Sequence, residues 1–287
     1  MSPGKLVPGK QNSAYDLLYS HLFLALQTTL RAFLEAGPVP GWPVARGGSI
    51  ADLPMMRVVA LIPAAGQGRR VAVAVAKQYL AVGGMPILAR TLRAFNDNPL
   101  VDGIVLAVGA GQREALEGTI LRPYPCHKLF QVVAGGIDRQ ESVARALDAV
   151  PAECEVVVVH DGVRPFVTHD VLTTVIETAQ ESGAALAAVP ARDTVKQVQG
   201  RVIQATLDRE TIWLAQTPQA FSADLIRRAH AVAARDGIRG TDDAALVERL
   251  GVAVQVVLGC EENIKVTTAA DLVLAEAILA VRAAGGE

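Results

Sequence analysis

Residues 58–70 have the sequence VVALIPAAGQGRR, an apolar run followed by a glycine turn and two arginines. The run at 58–62 predicts a buried strand, and the turn exposes backbone N–H groups at its end. Those N–H groups, together with the positive charges of Arg70 and Lys77, suit the polyphosphate of a nucleotide. The stretch therefore predicts an α/β fold with a nucleotide site after its first strand.

The glycines alone do not identify the nucleotide. Gly66-x-Gly68 resembles the start of a dinucleotide fingerprint, but Val71 stands where that motif has its third glycine. A Walker A loop ends in Gly-Lys-Ser/Thr, whereas Arg69 and Arg70 follow the second glycine here. An ordinary strand-to-helix turn is the alternative, and the concentration of positive charge beside the turn disfavours it.

The composition is that of a globular protein with a substantial core, since 51% of the 287 residues are hydrophobic and 20% are charged. A formal net charge of -2 gives no general attraction for nucleic acid, so any anion site must be locally basic. The three cysteines match no metal-ligand spacing and favour a reduced, cytoplasmic setting. No apolar run is long enough to cross a bilayer, so we expect no membrane partner.

The first 55 residues differ from the rest of the chain. Residues 14–35 predict one helix, and a Pro- and Gly-rich linker follows at 37–43. A signal peptide or membrane anchor is an alternative, given Lys5 and Lys10, but no small-x-small cleavage site follows the apolar run. Because two methionines immediately precede the first core strand, we interpret residues 1–55 as a loosely packed extension or an artefact of start-codon choice, and residues 56–284 as the catalytic domain.

Strand-like and helix-like segments alternate from residue 57 onward, which predicts a Rossmann-like, mainly parallel sheet sandwiched by helices. The predicted strands are 58–62, 103–108, 129–134, 156–160, 184–189 and 252–258. The predicted helices are 87–96, 112–121, 139–149, 169–182 and 269–283. Ligands of such sheets bind beyond the carboxyl ends of the strands, where the polar clusters of this chain fall.

One segment, at about residues 193–212, interrupts the alternation. Residues 194–204 predict a hairpin that turns near Gly200. A two-stranded ribbon is marginally stable alone and needs a surface to pack against. We therefore expect a protruding β-arm that either folds onto its own sheet or contacts a second copy of the chain.

A second polar cluster follows the predicted strand at 129–134. Paired glycines at Gly135 and Gly136 would let a flat base approach the backbone, and Ser142 is placed to hydrogen-bond that base. The alternative interpretation is a helix N-terminus with a nearby cap.

A third cluster follows the apolar run at 156–159. Asp161, at the end of a strand and beside a glycine, is well placed to hold Mg²⁺ or a substrate hydroxyl. Alternatively, Asp161 caps a turn and pairs with Arg164. The preceding His160 has no evident ligand partners, and we interpret it as structural.

These clusters and several later ones occur in an order that resembles a known family. The motifs are Pro-Ala-Ala-Gly-x-Gly-x-Arg, Lys-Gln-Tyr-Leu, Gly-Gly-x-x-Arg-x-x-Ser-Val, His-Asp-x-x-Arg-Pro, Arg-Asp-Thr, Asp-Arg, Thr-Pro-Gln and Asn-Ile-Lys-Val-Thr. From about residue 58 to about residue 279, the chain resembles the 2-C-methyl-D-erythritol 4-phosphate cytidylyltransferases of the non-mevalonate isoprenoid pathway.

Two stretches depart from the pattern of that family. Ala76 stands where the family usually has a proline before Lys77, which removes a constraint on the backbone of the loop. Gly162 and Val163 follow Asp161 where the family commonly has two alanines, and we expect this change to loosen that turn.

The resemblance implies roles for residues that the sequence alone leaves open. The implied catalytic cations are Arg70, Lys77 and Lys265. The implied nucleotide-binding residues are Ala64, Ala65, Gly66, Gly68, Gly135, Gly136 and Ser142. The implied substrate-binding residues are Asp161, Arg164, Thr194, Arg209 and Lys265. Thr194 and Arg209 would come from the neighbouring subunit's arm, which implies a homodimer.

The implied reaction transfers CMP from CTP to methylerythritol phosphate and releases pyrophosphate. A phosphate monoester is largely dianionic at neutral pH, so its oxygen can attack the α-phosphorus without a general base. The protein must instead offset the repulsion between two anions with fixed cations and a Mg²⁺ ion. The CTP phosphates would hold most of that Mg²⁺, with Asp161 as the candidate protein ligand.

Three other functions remain open at this point. A cytidylyltransferase for another polyol phosphate, such as ribitol 5-phosphate, would share the nucleotide loop and differ around the acceptor. An NAD-linked oxidoreductase is disfavoured by the missing third glycine. A catalytically silent nucleotide-binding module is disfavoured because all the charged positions needed for the chemistry are present.

Overall fold

The computed structural model describes residues 56–66 and 76–285. The strands are β1 (Val58–Ala64), β2 (Ala81–Val82), β3 (Met85–Pro86), β4 (Gly103–Val108), β5 (Leu129–Ala134), β6 (Val156–Val159), β7 (Ala184–Pro190), β8 (Lys196–Gln199), β9 (Val202–Thr206), β10 (Trp213–Ser222) and β11 (Gln255–Leu258). The helices are α1 (Ile87–Asp97), α2 (Arg113–Leu116), α3 (Arg139–Leu147), α4 (His169–Ser182), α5 (Ala223–Arg235), α6 (Asp243–Glu248) and α7 (Ala269–Gly285). The predicted N-terminal helix and linker lie outside the described residues.

Seven strands form the central sheet in the order β11-β7-β10-β6-β1-β4-β5. All neighbours pair in parallel except β10, which runs antiparallel to both β6 and β7. The predicted α/β class, with a mainly parallel sheet between helices, is therefore confirmed. In the described ranges, no helix is both long and apolar enough to cross a membrane.

Alternate residues of β1 supply the two faces of the core. Ala60 and Ile62 belong to the apolar cluster that α1 and α4 cover, whereas Val59 and Leu61 belong to the cluster covered by α3 and α5. All four are fully buried. A strand buried on both faces has no polar alternation, which explains its continuous apolar sequence.

Two predicted elements differ in detail from the structure. The predicted helix at 112–121 is a short α-helix, α2, continued by a π-helical turn at Glu117–Leu121. Gly118 lies in that turn, where a residue with low helix propensity weakens regular α-helical bonding. The predicted strand at 252–258 is shorter and begins at Gln255.

The predicted hairpin is present as a two-stranded sheet formed by β8 and β9, separate from the central sheet. Gly200 lies at its turn with a φ of 63°, a conformation that favours glycine. Three apolar side chains of the ribbon, Val198, Val202 and Ile203, are each more than half exposed. Large apolar side chains exposed together are typical of a surface that binds a partner.

Candidate active site

The carboxyl ends of β1, β5 and β6 lie at one edge of the sheet, as expected for parallel strands. A cavity of about 210 Å³ opens at this edge, and we call it the first cavity. Among the predicted site residues, its walls include Ala64, Ala65, Gly66, Lys77, Gly136, Ser142, Asp161 and Lys265. Gly68 and Arg70 lie in the range 67–75, outside the described residues, so their roles stay predictions.

Two contacts fix the described part of the glycine loop. The side-chain amide of Gln78, which is fully buried, donates a hydrogen bond of 2.8 Å to the carbonyl oxygen of Ala64. A Cβ atom at Gly135 would overlap the Cβ of Ala65, so only glycine lets the end of β5 approach this closely. Gly135 therefore supports the loop by packing closely against Ala65.

The second glycine cluster is ordered by the hydroxyl group of Ser142. That oxygen accepts a hydrogen bond of 3.0 Å from the Gly136 N–H and donates one of 2.7 Å to the Asp138 carbonyl oxygen. Asp138 caps α3 by accepting from the Glu141 N–H over 2.8 Å. The helix-cap interpretation of this cluster is therefore confirmed. Gly136 and Ser142 also line the first cavity, where the binding of a base stays a prediction.

Asp161 lies at the centre of a buried charge cluster. Its Oδ1 accepts a hydrogen bond of 2.9 Å from Arg139 Nε, and its Oδ2 is 2.9 Å from Lys265 Nζ. Arg164 Nε, 3.5 Å from the same Oδ2, is a more distant partner. Burial would raise the pKa of Asp161, but the charges of Arg139 and Lys265 outweigh it and hold the pKa well below its usual range. The carboxyl group is therefore ionised at neutral pH.

A second cavity, of about 250 Å³, opens on the other side of Asp161. Its walls are Arg139, Asp161, Arg164, Ala215, Gln216, Thr217, Gln219, Thr241, Asp242 and Lys265. Arg139, Asp161 and Lys265 also line the first cavity. The two cavities therefore adjoin as halves of one cleft. The charge cluster around Asp161 lies between them, and we call it the junction.

His160 supports the strand end that carries Asp161. Its ring is fully buried, with Nε2 3.0 Å from the Arg164 carbonyl oxygen and Nδ1 3.1 Å from Thr217 Oγ1. Burial lowers the pKa of His160 to about 4, so the ring is neutral at pH 7. Since the carbonyl can only accept, Nε2 carries the proton and Nδ1 accepts from the Thr217 hydroxyl, whose oxygen accepts from the Asp161 N–H over 3.1 Å. The structural interpretation of His160 agrees with this arrangement.

The two departures from the family pattern have small local consequences. Ala76 has a φ of -62°, within the range that proline would impose, so the backbone angle there is the one a proline would give. Gly162 is buried, and its N–H donates to the Pro63 carbonyl oxygen over 3.3 Å. Its carbonyl oxygen accepts from the Thr91 hydroxyl, also over 3.3 Å. Both the N–H and the carbonyl group of Gly162 are therefore hydrogen-bonded, and these two bonds hold the turn after Asp161.

The predicted residues Thr194 and Arg209 line neither cavity of the described chain. Both are exposed, and Arg209 Nη1 donates a hydrogen bond of 2.8 Å to the carbonyl oxygen of Arg192. Their location near the ends of the β8–β9 ribbon leaves them available to another molecule.

The main site residue that the sequence did not single out is Arg139. It stands in the Gly-Gly-x-x-Arg motif, which was the available signal, but it carried no predicted role. Thr217, in the Thr-Pro-Gln motif, likewise had no predicted role, and Thr241 had none either, yet both line the second cavity. The contacts that bring these residues into the site join positions far apart in the sequence, and no local sequence spacing predicts such contacts.

The described residues do not form a metal cage by themselves. They contain no group of three or more His, Cys, Asp or Glu side chains that could hold a metal ion. Both oxygens of Asp161 face cationic nitrogens, so a divalent ion there would have to displace Arg139 or Lys265. A Mg²⁺ ion at this cleft would need the phosphate oxygens of a nucleotide for most of its ligands.

Comparisons with known proteins agree on one family. The model of the 2-C-methyl-D-erythritol 4-phosphate cytidylyltransferase family matches residues 58–281. A protein of that name from Geobacter metallireducens is 52% identical over 227 residues, which cover 78% of this chain and 98% of the relative. The crystal structure of a protein of that name from Thermus thermophilus is 39% identical, with a TM-score of 0.64 over 78% of this chain and 98% of the other. The 4-diphosphocytidyl-2C-methyl-D-erythritol synthase from Anaerococcus prevotii is 30% identical, with a TM-score of 0.70 over 78% and 96% of the two chains.

Proposed function

The chain belongs to the 2-C-methyl-D-erythritol 4-phosphate cytidylyltransferase family and catalyses CTP-dependent cytidylyl transfer, and from this premise we propose how its residues divide the work. The products of the transfer are 4-diphosphocytidyl-2-C-methyl-D-erythritol and pyrophosphate. CTP occupies the first cavity, methylerythritol phosphate occupies the second, and their reacting atoms meet at the junction.

The observation that carries this proposal is the charge of the junction. Three cations, Arg139, Arg164 and Lys265, surround Asp161, and Asp243 is the further carboxylate bonded to Arg139. The residues that line the two cavities include four cations against three carboxylates, so the cleft carries an excess of one positive charge although the net charge of the chain is -2. The cations are these three and Lys77, and the carboxylates are Asp138, Asp161 and Asp242. A site that brings two phosphate groups together needs such an excess.

The nucleotide lies along the described end of the glycine loop. Lys77 and Lys265 both line the first cavity, so the triphosphate passes between a cation on each side. The base lies against the backbone of Gly136, whose missing side chain makes room for Glu141, since a Cβ atom at Gly136 would overlap the Cβ of Glu141. Ser142 already donates its hydroxyl hydrogen and accepts one bond, so its remaining lone pair serves as an acceptor for the amino group of cytosine.

The acceptor lies against Asp161 in the second cavity. Because the carboxylate is ionised, it accepts a hydrogen bond from a polyol hydroxyl through a lone pair that Arg139 and Lys265 leave unused. Arg164, whose Nη1 donates to the Asn263 carbonyl oxygen over 2.6 Å, supports the same wall.

The transfer then needs no general base from the protein. An oxygen of the dianionic acceptor phosphate forms a bond to the α-phosphorus of CTP, and the bond from that phosphorus to pyrophosphate breaks. Lys77 and Lys265 stabilise negative charge that builds up on the pentacoordinate centre and the leaving group. A Mg²⁺ ion carried on the triphosphate would supply further neutralisation.

The direct test of this function is incubation with CTP, Mg²⁺ and methylerythritol phosphate, followed by mass detection of the cytidine diphospho product. We expect product only when all three are present, and a strong preference for this acceptor over ribitol 5-phosphate. Failure to form the product, or equal use of both acceptors, would contradict the proposed acceptor. Binding of NAD in place of CTP would contradict the nucleotide.

We propose that the β8–β9 ribbon completes the acceptor site of a second copy of the chain in a homodimer. Support comes from the exposed apolar side chains of the ribbon and from Thr194 and Arg209, which are exposed and line neither the first nor the second cavity of their own chain. These two residues would then close the partner's second cavity over the acceptor phosphate.

Mixing two inactive variants tests this exchange of residues between subunits. Arg209→Ala and Lys265→Ala proteins should each have low activity, because each lacks one cation of every site. After denaturation and refolding together, we expect part of the wild-type activity to return, since a mixed dimer contains one intact site. Light scattering should give a dimer mass for the wild type. No recovery in a confirmed mixed dimer would place Arg209 in its own chain's site.

We also propose a cytoplasmic location. The cysteines Cys126, Cys154 and Cys260 are all free thiols, as is usual in a reducing compartment. Burial raises the pKa of Cys126 and of Cys154 to about 11, which keeps both thiols protonated and unreactive.

A further inference from the structure

We propose that Asp243, which lines neither cavity, is a positioning residue for the transfer and acts through Arg139. Asp243 is the first residue of α6, and the sequence predicted no role for it. The inference rests on the proposed function, because it concerns the geometry of the junction where CTP and the acceptor meet.

Asp243 is buried beneath the junction with a partner on each oxygen. Its Oδ2 accepts a hydrogen bond of 2.6 Å from Arg139 Nη1, and its Oδ1 accepts one of 2.9 Å from His230 Nε2. Asp243 is 1% exposed and His230 is 6% exposed. Burial would raise the pKa of Asp243, but the charge of Arg139 outweighs it and lowers the pKa below its ordinary value. The side chain is therefore a fixed, ionised carboxylate.

Asp243 and Asp161 hold Arg139 at two different nitrogens. Arg139 Nε bonds to Asp161 and Nη1 bonds to Asp243, so the plane of the guanidinium group is fixed at two points. The third nitrogen, Nη2, is buried and has no hydrogen-bond partner in the described chain. Nη2 itself is closed off from the cavities, but Arg139 lines both of them, so the positive charge of the guanidinium group held in this way acts on both substrate positions.

Without Asp243, Arg139 would have one carboxylate left. The guanidinium group would then turn to pair with Asp161 through two nitrogens, the geometry that arginine favours with a single carboxylate. That turn would move Nη2 and weaken the hold of Asp161 on Lys265. Asp243 thus determines how far the Arg139 guanidinium group neutralises Asp161 and how far it acts on the bound substrates.

The test is a double-mutant cycle with Asp243→Asn and Arg139→Lys. Asparagine keeps the shape of Asp243 but loses its charge, and lysine keeps the charge of Arg139 but cannot bond both carboxylates in the same geometry. We expect each change to lower kcat by about 10- to 100-fold, the cost of misplacing groups at a reaction centre. The affinity for CTP, measured by equilibrium binding, should change little, because the glycine loop is untouched.

The cycle distinguishes positioning from general destabilisation. Because Asp243 acts through Arg139, the double variant should have the kcat of the slower single variant to within about twofold. Asn98→Ala is the control: Asn98 is fully buried, bonds to Thr173 Oγ1 over 2.9 Å and lines neither cavity. It should lower thermal stability without lowering kcat.

Each outcome supports or overturns the inference. Multiplicative losses in the double variant, or a normal kcat in folded Asp243→Asn, would overturn it. If Asp243→Asn does not fold, a normal kcat in Arg139→Lys would overturn it equally. An inactive wild-type protein in the same assay would instead count against the proposed function.

Discussion

Replacing Lys265 with alanine is expected to lower kcat by about 10²–10³-fold and to leave the fold intact. Lys265 lines both cavities and is 40% exposed, so its ammonium group can reach substrate as well as Asp161. The charge that it stabilises develops in the transition state, so the loss should fall mainly on kcat. Asp161 would keep Arg139 and Arg164 as partners, which is why we expect the variant to fold.

Lys77→Ala should have an effect of the same order, because Lys77 lines the first cavity where the triphosphate would lie. Lys128→Ala is the matched control: Lys128 donates to the Asn98 carbonyl oxygen over 2.6 Å and lines neither cavity. The measurement is steady-state pyrophosphate release, with thermal melting of each variant. Near-normal turnover in either Lys77→Ala or Lys265→Ala would contradict charge neutralisation as the basis of catalysis.

Much of the sheet could be predicted because its strands are buried on both faces. The strands at 103–108 and 129–134 were predicted with the bounds that the structure has, since turn residues end each apolar run. β10 was not predicted, because Pro218 and three glutamine or threonine side chains lie within it and a proline argues against a central strand. The structure accommodates Pro218 where the pairing with β7 shifts between Ala215 and Gln219.

The site could be predicted as far as its residues follow strands directly. Asp161 and Gly136 come straight after β6 and β5, so parallel strand ends bring them together. The contact between Arg139 and Asp243 spans 104 residues, and no periodicity or motif spacing connects them. Such a pair forms only when α3 and α6 pack over the sheet, which is why sequence reasoning missed it.

Asp161→Asn is expected to lower the free energy of unfolding at pH 7 by about 3–5 kcal/mol, the usual cost of removing one partner of a buried ion pair. The Asp161 side chain is 7% exposed and faces Arg139, Lys265 and Arg164. In the variant, an amide NH₂ group would face one of these donors, and buried positive charge would lose its counter-charge. The melting temperature should fall by roughly 6–20 °C for a domain of this size.

The stability difference between wild type and Asp161→Asn should also depend on pH. The pKa of Asp161 is lowered in the folded protein from its ordinary value of 3.8, so its carboxylate stabilises the fold above that pH. As the pH falls below about 4, the unfolded chain takes up a proton that the folded chain does not, and this contribution is progressively lost. The difference measured by urea unfolding should therefore be largest near pH 7 and shrink toward pH 3.

Asp97→Asn is the control for this pH series. Asp97 pairs with Arg93 on the surface, where the two side chains are 57% and 70% exposed. Exposed pairs of this kind contribute about 0–1 kcal/mol, so the variant should follow the wild type closely at every pH. A stability loss in Asp161→Asn no larger than in Asp97→Asn would show that solvent already screens the junction. In that case its cations could not hold two phosphate groups together with the strength that the transfer requires, because a screened charge stabilises a transition state little more than water does.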